Sequence, residues 1–189
     1  MEAAIGIKCN NFTLIATDTS IKNSYLILTR TENKFKTCGK SLICYLGDQG
    51  DSFRTINYVT ERLKYEEISY DLEVDANVVS NVIQNYVHKL LRTNPRNNYF
   101  IISDESSLYS VDMYGTLHES SYVAVGIATY FCYGVLDKEY RSDMSVDEAV
   151  NLVKKCFKVL KDRCSLDYGN EEFMDIDIRV VCENGVVSV

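Results

Sequence analysis

The chain has 189 residues, 46% of them hydrophobic, with one Pro, nine Gly and a formal net charge of −7. That length suits a single domain, 1–189, and the composition excludes a collagen-like or linker-dominated chain. No apolar run approaches the ~20 residues that cross a bilayer, and no basic field is present to neutralise phosphates, so neither membrane nor nucleic acid is expected as a partner.

The amino end, Met1-Glu2-Ala3-Ala4-Ile5, lacks the basic region of a signal peptide, which points to the cytoplasm and nucleus. Seven cysteines (9, 38, 44, 132, 156, 164 and 182) are an odd number, mostly inside apolar patterns. They read as buried, reduced small hydrophobes. No close CxxC pair exists, and His88 and His118 are far apart, so neither a metal nor a cofactor is expected.

In chain order, residues 3–9 and 12–18 read as two strands joined at Asn10-Asn11, since Asn tolerates positive φ. Residues 19–31 are less regular, with the short apolar run Tyr25-Leu26-Ile27-Leu28 inside. Strands follow at 34–38 and 41–46 around the turn Gly39-Lys40. Gly47-Asp48-Gln49-Gly50-Asp51 then opens a helix, capped by Asp51 or Ser52, with Phe53, Ile56, Val59, Thr60 and Leu63 on its inner face. A second helix runs over 75–91, capped by Asp75, with Val79, Val82, Ile83, Tyr86 and Leu90 as its stripe. It stops at Asn94-Pro95.

Strands resume at 99–103, 108–112 and 120–125. One helix is expected from Thr129 to before Asp143. The clearest helix is 145–160, where Ser145 and Glu148 form a capping box. Residues 162–175 are acidic and without period. Strands at 173–181 and 186–189 close the chain around the hairpin signal Asn184-Gly185. Helices come in blocks between groups of short strands. That order favours antiparallel sheets with helices outside them, an α+β class, over a doubly wound parallel sheet.

Several segments, in order, resemble the proteasome beta subunits, in particular the non-catalytic eukaryotic beta-4 group, also called beta type-2. They are Met1 to Ile7, Ala16-Thr17-Asp18, Gly47-Asp48-Gln49-Gly50-Asp51, Gly126-Ile127-Ala128-Thr129, Tyr133 to Asp137, and the helix of Ala149-Val150. No one of them is specific, but their order and spacing together are. The resemblance implies a four-layer alpha-beta-beta-alpha sandwich of the N-terminal nucleophile hydrolase kind. It also implies a place in the 20S core particle, in a seven-membered ring of beta subunits stacked on an opposite beta ring and capped by alpha rings. There the assembled complex carries out ATP- and ubiquitin-dependent protein degradation.

Active members of the family attack the peptide carbonyl with an N-terminal threonine whose own amine acts as base. By resemblance, Asp18 stands at the supporting aspartate, Lys34 at the lysine and Asp167 at the second aspartate. Thr129 keeps one of two serine-type hydroxyls, while Ile127 replaces the other. Each has a plainer reading: Asp18 bonding a turn after its strand, Lys34 a partly buried or surface charge, and Thr129 a helix cap. The matching start, Met1-Glu2-Ala3, holds no threonine, and no removable segment is expected ahead of it. Thr13, the first in the chain, lies inside an apolar strand after Phe12.

The expectation is therefore a non-catalytic structural subunit with no catalytic residues of its own. An active threonine peptidase is the alternative. An unrelated α+β adaptor would explain the missing nucleophile but not the ordered segments.

Overall fold

The computed structural model describes residues 2–23, 26–164 and 175–189. β1 (Ala3–Lys8) and β2 (Thr13–Asp18) form an antiparallel hairpin with Ile5 opposite Ala16. Both strands are buried on both faces, and alternation divides their side chains between two cores. Ile5, Ile7, Leu14 and Ala16 enter one apolar cluster; Ala4 and Ile15 enter another on the opposite face. Gly6 lies on that second face. A Cβ there would sit 2.9 Å from Leu108 Cδ1 and 3.0 Å from Val123 Cγ1, so the sheets approach too closely for a side chain. The hairpin closes with Cys9 N–H donating to Phe12 O at 2.8 Å. Asn10 and Asn11 do not use the positive φ expected of them. Among the described non-glycine residues only Asp71 has one.

The irregular segment after β2 contains a two-stranded ribbon, β3 (Ile21–Asn23) with β4 (Leu26–Thr29). Next come β5 (Phe35–Cys38), β6 (Ser41–Gly47) and α1 (Gln49–Tyr70). The cap of α1 is Asp48, whose side chain accepts from Asp51 N–H, and not Asp51 or Ser52. Gly47, at φ +113, turns the chain so that Asp48 enters the helix extended. The inner face is accordingly Ser52, Thr55, Ile56, Val59, Thr60 and Leu63, and Phe53 is 60% exposed. Helix α2 (Ala76–Leu90) has the expected Asp75 cap. Its buried face is Ala76, Val79, Ser80, Ile83 and Val87, with Val82, Tyr86 and Leu90 only half-buried.

β7 (Asn98–Ser103) and β8 (Leu108–Val111) follow, then a short strand the sequence did not reveal, β9 (Leu117–Glu119), and β10 (Tyr122–Gly126). The single helix expected from Thr129 is two, α3 (Ala128–Phe131) and α4 (Tyr133–Glu139). They meet at Cys132, where aromatic residues and Gly134 supply little helix propensity. α5 (Val146–Arg163) begins with the complete capping box of Ser145 and Glu148. β11 (Ile176–Cys182) pairs with β12 (Gly185–Ser188). Cys182 opposes Gly185, so the turn is centred on Glu183-Asn184 and the φ of +102 falls on Gly185 at the strand's start. Met1, Tyr25, Asp167, Phe173 and most of the acidic 162–175 stretch lie outside the described residues.

Two five-stranded sheets result, in the orders β10-β1-β2-β11-β12 and β5-β6-β7-β8-β9, with every pairing antiparallel. Helices α1 and α2 cover the second sheet through Ile56, Val59, Leu63, Val79 and Ile83 against Ile43, Phe100 and Ile102. The first sheet is covered by α3, α4 and α5, whose Phe157 and Leu160 meet Ile5 and Leu14. Between the sheets lie Ala4, Ile15, Leu42, Cys44, Ile101 and Val123. The expected four-layer α+β sandwich is the observed one. Each large side chain so buried contributes about 1.5–3 kcal/mol.

Candidate functional site

The start of β1, the end of β2 and the residue before β5 converge between the sheets. Asp18 closes β2 and is fully buried. Its Oδ1 accepts Ala3 N–H at 3.0 Å, and its Oδ2 accepts the Ser20 hydroxyl at 3.0 Å. Lys34 is 3% exposed. Its Nζ lies 3.1 Å from Asp18 Oδ1, 3.0 Å from Ser20 O and 3.0 Å from Glu2 Oε1. Three acceptors thus serve the three ammonium protons, the condition under which a buried charge is tolerated.

Glu2 completes the cluster. Its second oxygen, Oε2, accepts Gly47 N–H at 2.7 Å. Its backbone carbonyl accepts Ile127 N–H at 2.9 Å. Gly126 lies against that same carbonyl. A Cβ there would stand 2.2 Å from Glu2 O, and the φ of +71 also favours glycine. Behind Lys34, burial pushes the Cys44 thiol up to about 12 despite the opposing pull of the ammonium. Cys44 is therefore a protonated packing residue at neutral pH and no nucleophile. A cleft of about 990 Å³ opens over this floor, with Ile21, Leu28, Tyr45, Val125 and Tyr130 among its walls.

The structure brings Asp18 and Lys34 into direct contact, and Lys34 is buried, not the partly buried or surface charge of the plainer sequence reading. Asp18 does bond the turn after its strand, through Ser20, and also far more than that turn. Thr129 does not cap its helix. The α3 N-cap is Ile127, without a side-chain cap bond, and the Thr129 hydroxyl donates to Ala124 O at 2.9 Å. A helix of four residues starting straight from β10 leaves no extended cap position for it. Asp167 is outside the described residues. Sequence reasoning missed Ser20 and the structural part played by Glu2 and Gly47. The signal available was an acidic residue directly ahead of the apolar run Ala3 to Ile7, where a charge needs a partner. Among the described residues no group of three or more His, Cys, Asp or Glu could hold a metal ion.

Face-to-face antiparallel sheets between two helical layers, with a lysine–aspartate pair at the head of the first strand, define an N-terminal nucleophile hydrolase-like sandwich. The profile of the proteasome subunit family matches residues 2–176, and the chain belongs to that family as a beta-type subunit. It is similar to a probable proteasome subunit beta type-4 of Encephalitozoon cuniculi, 36% identical across 100% of this chain and 95% of the relative. Proteasome subunit beta type-2-A of Arabidopsis thaliana is 31% identical, over 86% of this chain and 83% of its own. Proteasome subunit beta type-4 of Saccharomyces cerevisiae is 22% identical over 100% and 97%. Membership of the family implies assembly with other proteasome subunits.

Proposed function

We propose that this chain is a non-catalytic, structural beta subunit of the 20S core particle, adding no hydrolysis of its own to the ATP- and ubiquitin-dependent degradation carried out by the assembled complex. One observation carries the reading. The group facing the Lys34 ammonium at the head of β1 is the Glu2 carboxylate, at 3.0 Å, and not a hydroxyl. A carboxylate ion-paired there accepts hydrogen bonds and offers no oxygen with a proton for a neighbouring amine to remove. The nearby hydroxyls are committed elsewhere: Thr17 donates to Ala3 O, and Ser20 to Asp18, and both residues are buried.

In this reading Asp18, Lys34 and Thr129 are framework positions kept with the fold, and Asp167 is assigned with them on resemblance. The partners are the other beta subunits of a seven-membered ring, the alpha ring and the opposite beta ring. Cytoplasm and nucleus are the proposed compartments, to which seven free cysteines are suited.

The test is intact mass spectrometry of the assembled particle after exposure to a threonine-directed covalent inhibitor. This chain is expected at unmodified mass, while active subunits gain the adduct. Native mass spectrometry is expected to find two copies per particle. An adduct on this chain, or a stable monomer with no large particle, overturns the reading.

A further inference from the structure

Two donors from one sheet converge on a carboxylate supplied by the other. Gly47 ends β6 and Lys34 precedes β5, whereas Glu2 precedes β1. Glu2 Oε1 meets Lys34 Nζ at 3.0 Å, and Oε2 meets Gly47 N at 2.7 Å, so one donor engages each oxygen. Such charge-assisted bonds to both oxygens are the way a protein recognises a free carboxylate ligand.

Neither donor depends on Glu2 for its position. Lys34 is anchored by Asp18 Oδ1 and Ser20 O. Gly47 is fixed by its pairing with Asn98, by Asp48 N–H on Asn97 O at 3.0 Å, and by a backbone so close to Asn97 O that a Cβ would stand 1.9 Å away. The receptor is thus preorganised. Its occupant is less constrained. The Glu2 side chain is 21% exposed, lies on the cleft wall and hangs on three rotatable bonds.

The geometry points to a carboxylate-binding site at the floor of the cleft whose resident ligand is Glu2 itself. The side chain is a plug, and the Lys34 ammonium with the Gly47 amide is its receptor. The ligand class that competes for the floor is a small carboxylate, with Ile21, Leu28 and Tyr45 offering apolar contact to its hydrocarbon part. This inference stands on the geometry and does not depend on whether the chain hydrolyses peptides.

The test uses the full chain, 15N-labelled, with acetate as probe and chloride at equal ionic strength as control. In Glu2→Ala the Gly47 amide proton is expected to move upfield and to exchange about tenfold faster, as for loss of one charge-assisted bond. Acetate is expected to reverse both changes saturably, and chloride is not. The wild-type chain and Glu2→Gln, whose amide oxygen still fills the space, are expected not to respond. Where Glu2→Ala fails to fold, Glu2→Asp withdraws the carboxylate by one methylene, and its Gly47 amide is expected to respond to acetate in the same way. No saturable response in the folded variant, or an equal response in the wild type, overturns the inference.

Discussion

Replacing Lys34 by methionine keeps a long apolar stem and removes only the charge and its three hydrogen bonds. What remains is a fully buried Asp18 carboxylate, held by Ala3 N–H and the Ser20 hydroxyl, with a second carboxylate, Glu2, turned toward it and no ammonium between them. Breaking a buried ion pair by deleting one partner costs about 3–5 kcal/mol, most of it the price of the stranded charge. A chain of this size loses about 2–4 °C of Tm per kcal/mol, so Lys34→Met is expected to melt roughly 6–20 °C below the wild type. The assay is thermal unfolding of the purified chain by circular dichroism at neutral pH. The companion variant Asp18→Asn/Lys34→Met removes both buried charges and is expected to regain at least about 1–2 kcal/mol over the sum of the single losses, the coupling of residues in direct contact. A Lys34→Met shift below about 2 °C refutes the reasoning, because one Tm step of that size corresponds to under 1 kcal/mol. Strict additivity in the double variant refutes it too.

Other expectations follow from single contacts. Gly126→Ala drives a Cβ to within 2.2 Å of Glu2 O at a φ of +71. It is expected to destabilise by at least about 2 kcal/mol, read by chemical denaturation, with accelerated exchange of the Ile127 amide that donates to that carbonyl. The Ser145 backbone amide, then the Ser145 side chain and Arg141, hold the Glu148 carboxyl below its ordinary value of 4.5. Its charge therefore stabilises α5 above that value, and the benefit disappears as pH falls through the depressed one. The Tm gap between wild type and Glu148→Gln is expected to narrow on acidification below 4.5, and a pH-independent gap contradicts this. Burial pushes the thiols of Cys9 and Cys38 up to about 11 and that of Cys44 to about 12. Alkylation of the native chain at mildly alkaline pH, mapped by peptide mass spectrometry, is expected to label half-buried Cys164 and Cys182 first and to leave those three unmodified.

Much of the fold is written in local pattern. Asp75, and Ser145 with Glu148, announce helix starts because a capping side chain needs only its own next turn. The hairpin of β1 and β2 is legible because each strand has an apolar centre and the polar pair between them is short. Where the sequence misleads, a long-range contact decides. The inner face of α1 includes Ser52 because its hydroxyl reaches Leu46 O and Asn98 Oδ1, both at 3.3 Å, and that contact turns Phe53 outward. The site divides along the same line. Asp18 and Lys34 were legible through family resemblance. Glu2 on Gly47, a contact across 45 positions, depends on how two sheets stack, which no window of sequence contains.

The order of strands in the first sheet also sets a schedule for the growing chain. The hairpin of β1 and β2 emerges before the strands that flank it in the middle of its sheet: Ala3 pairs with Gly126 on one side and Asp18 with Ile176 on the other. Both of its hydrogen-bonding edges, and two apolar faces, remain uncovered while most of the polypeptide is still to be synthesised. Such open edges invite pairing with foreign strands, and closing them demands contacts of high sequence separation, which form slowly. The segment that carries Glu2 and Asp18 is thus made well before the strands that complete it. Until residues 122–126 and 176–182 are made, these central strands are the part of the sheet most open to pairing with another polypeptide.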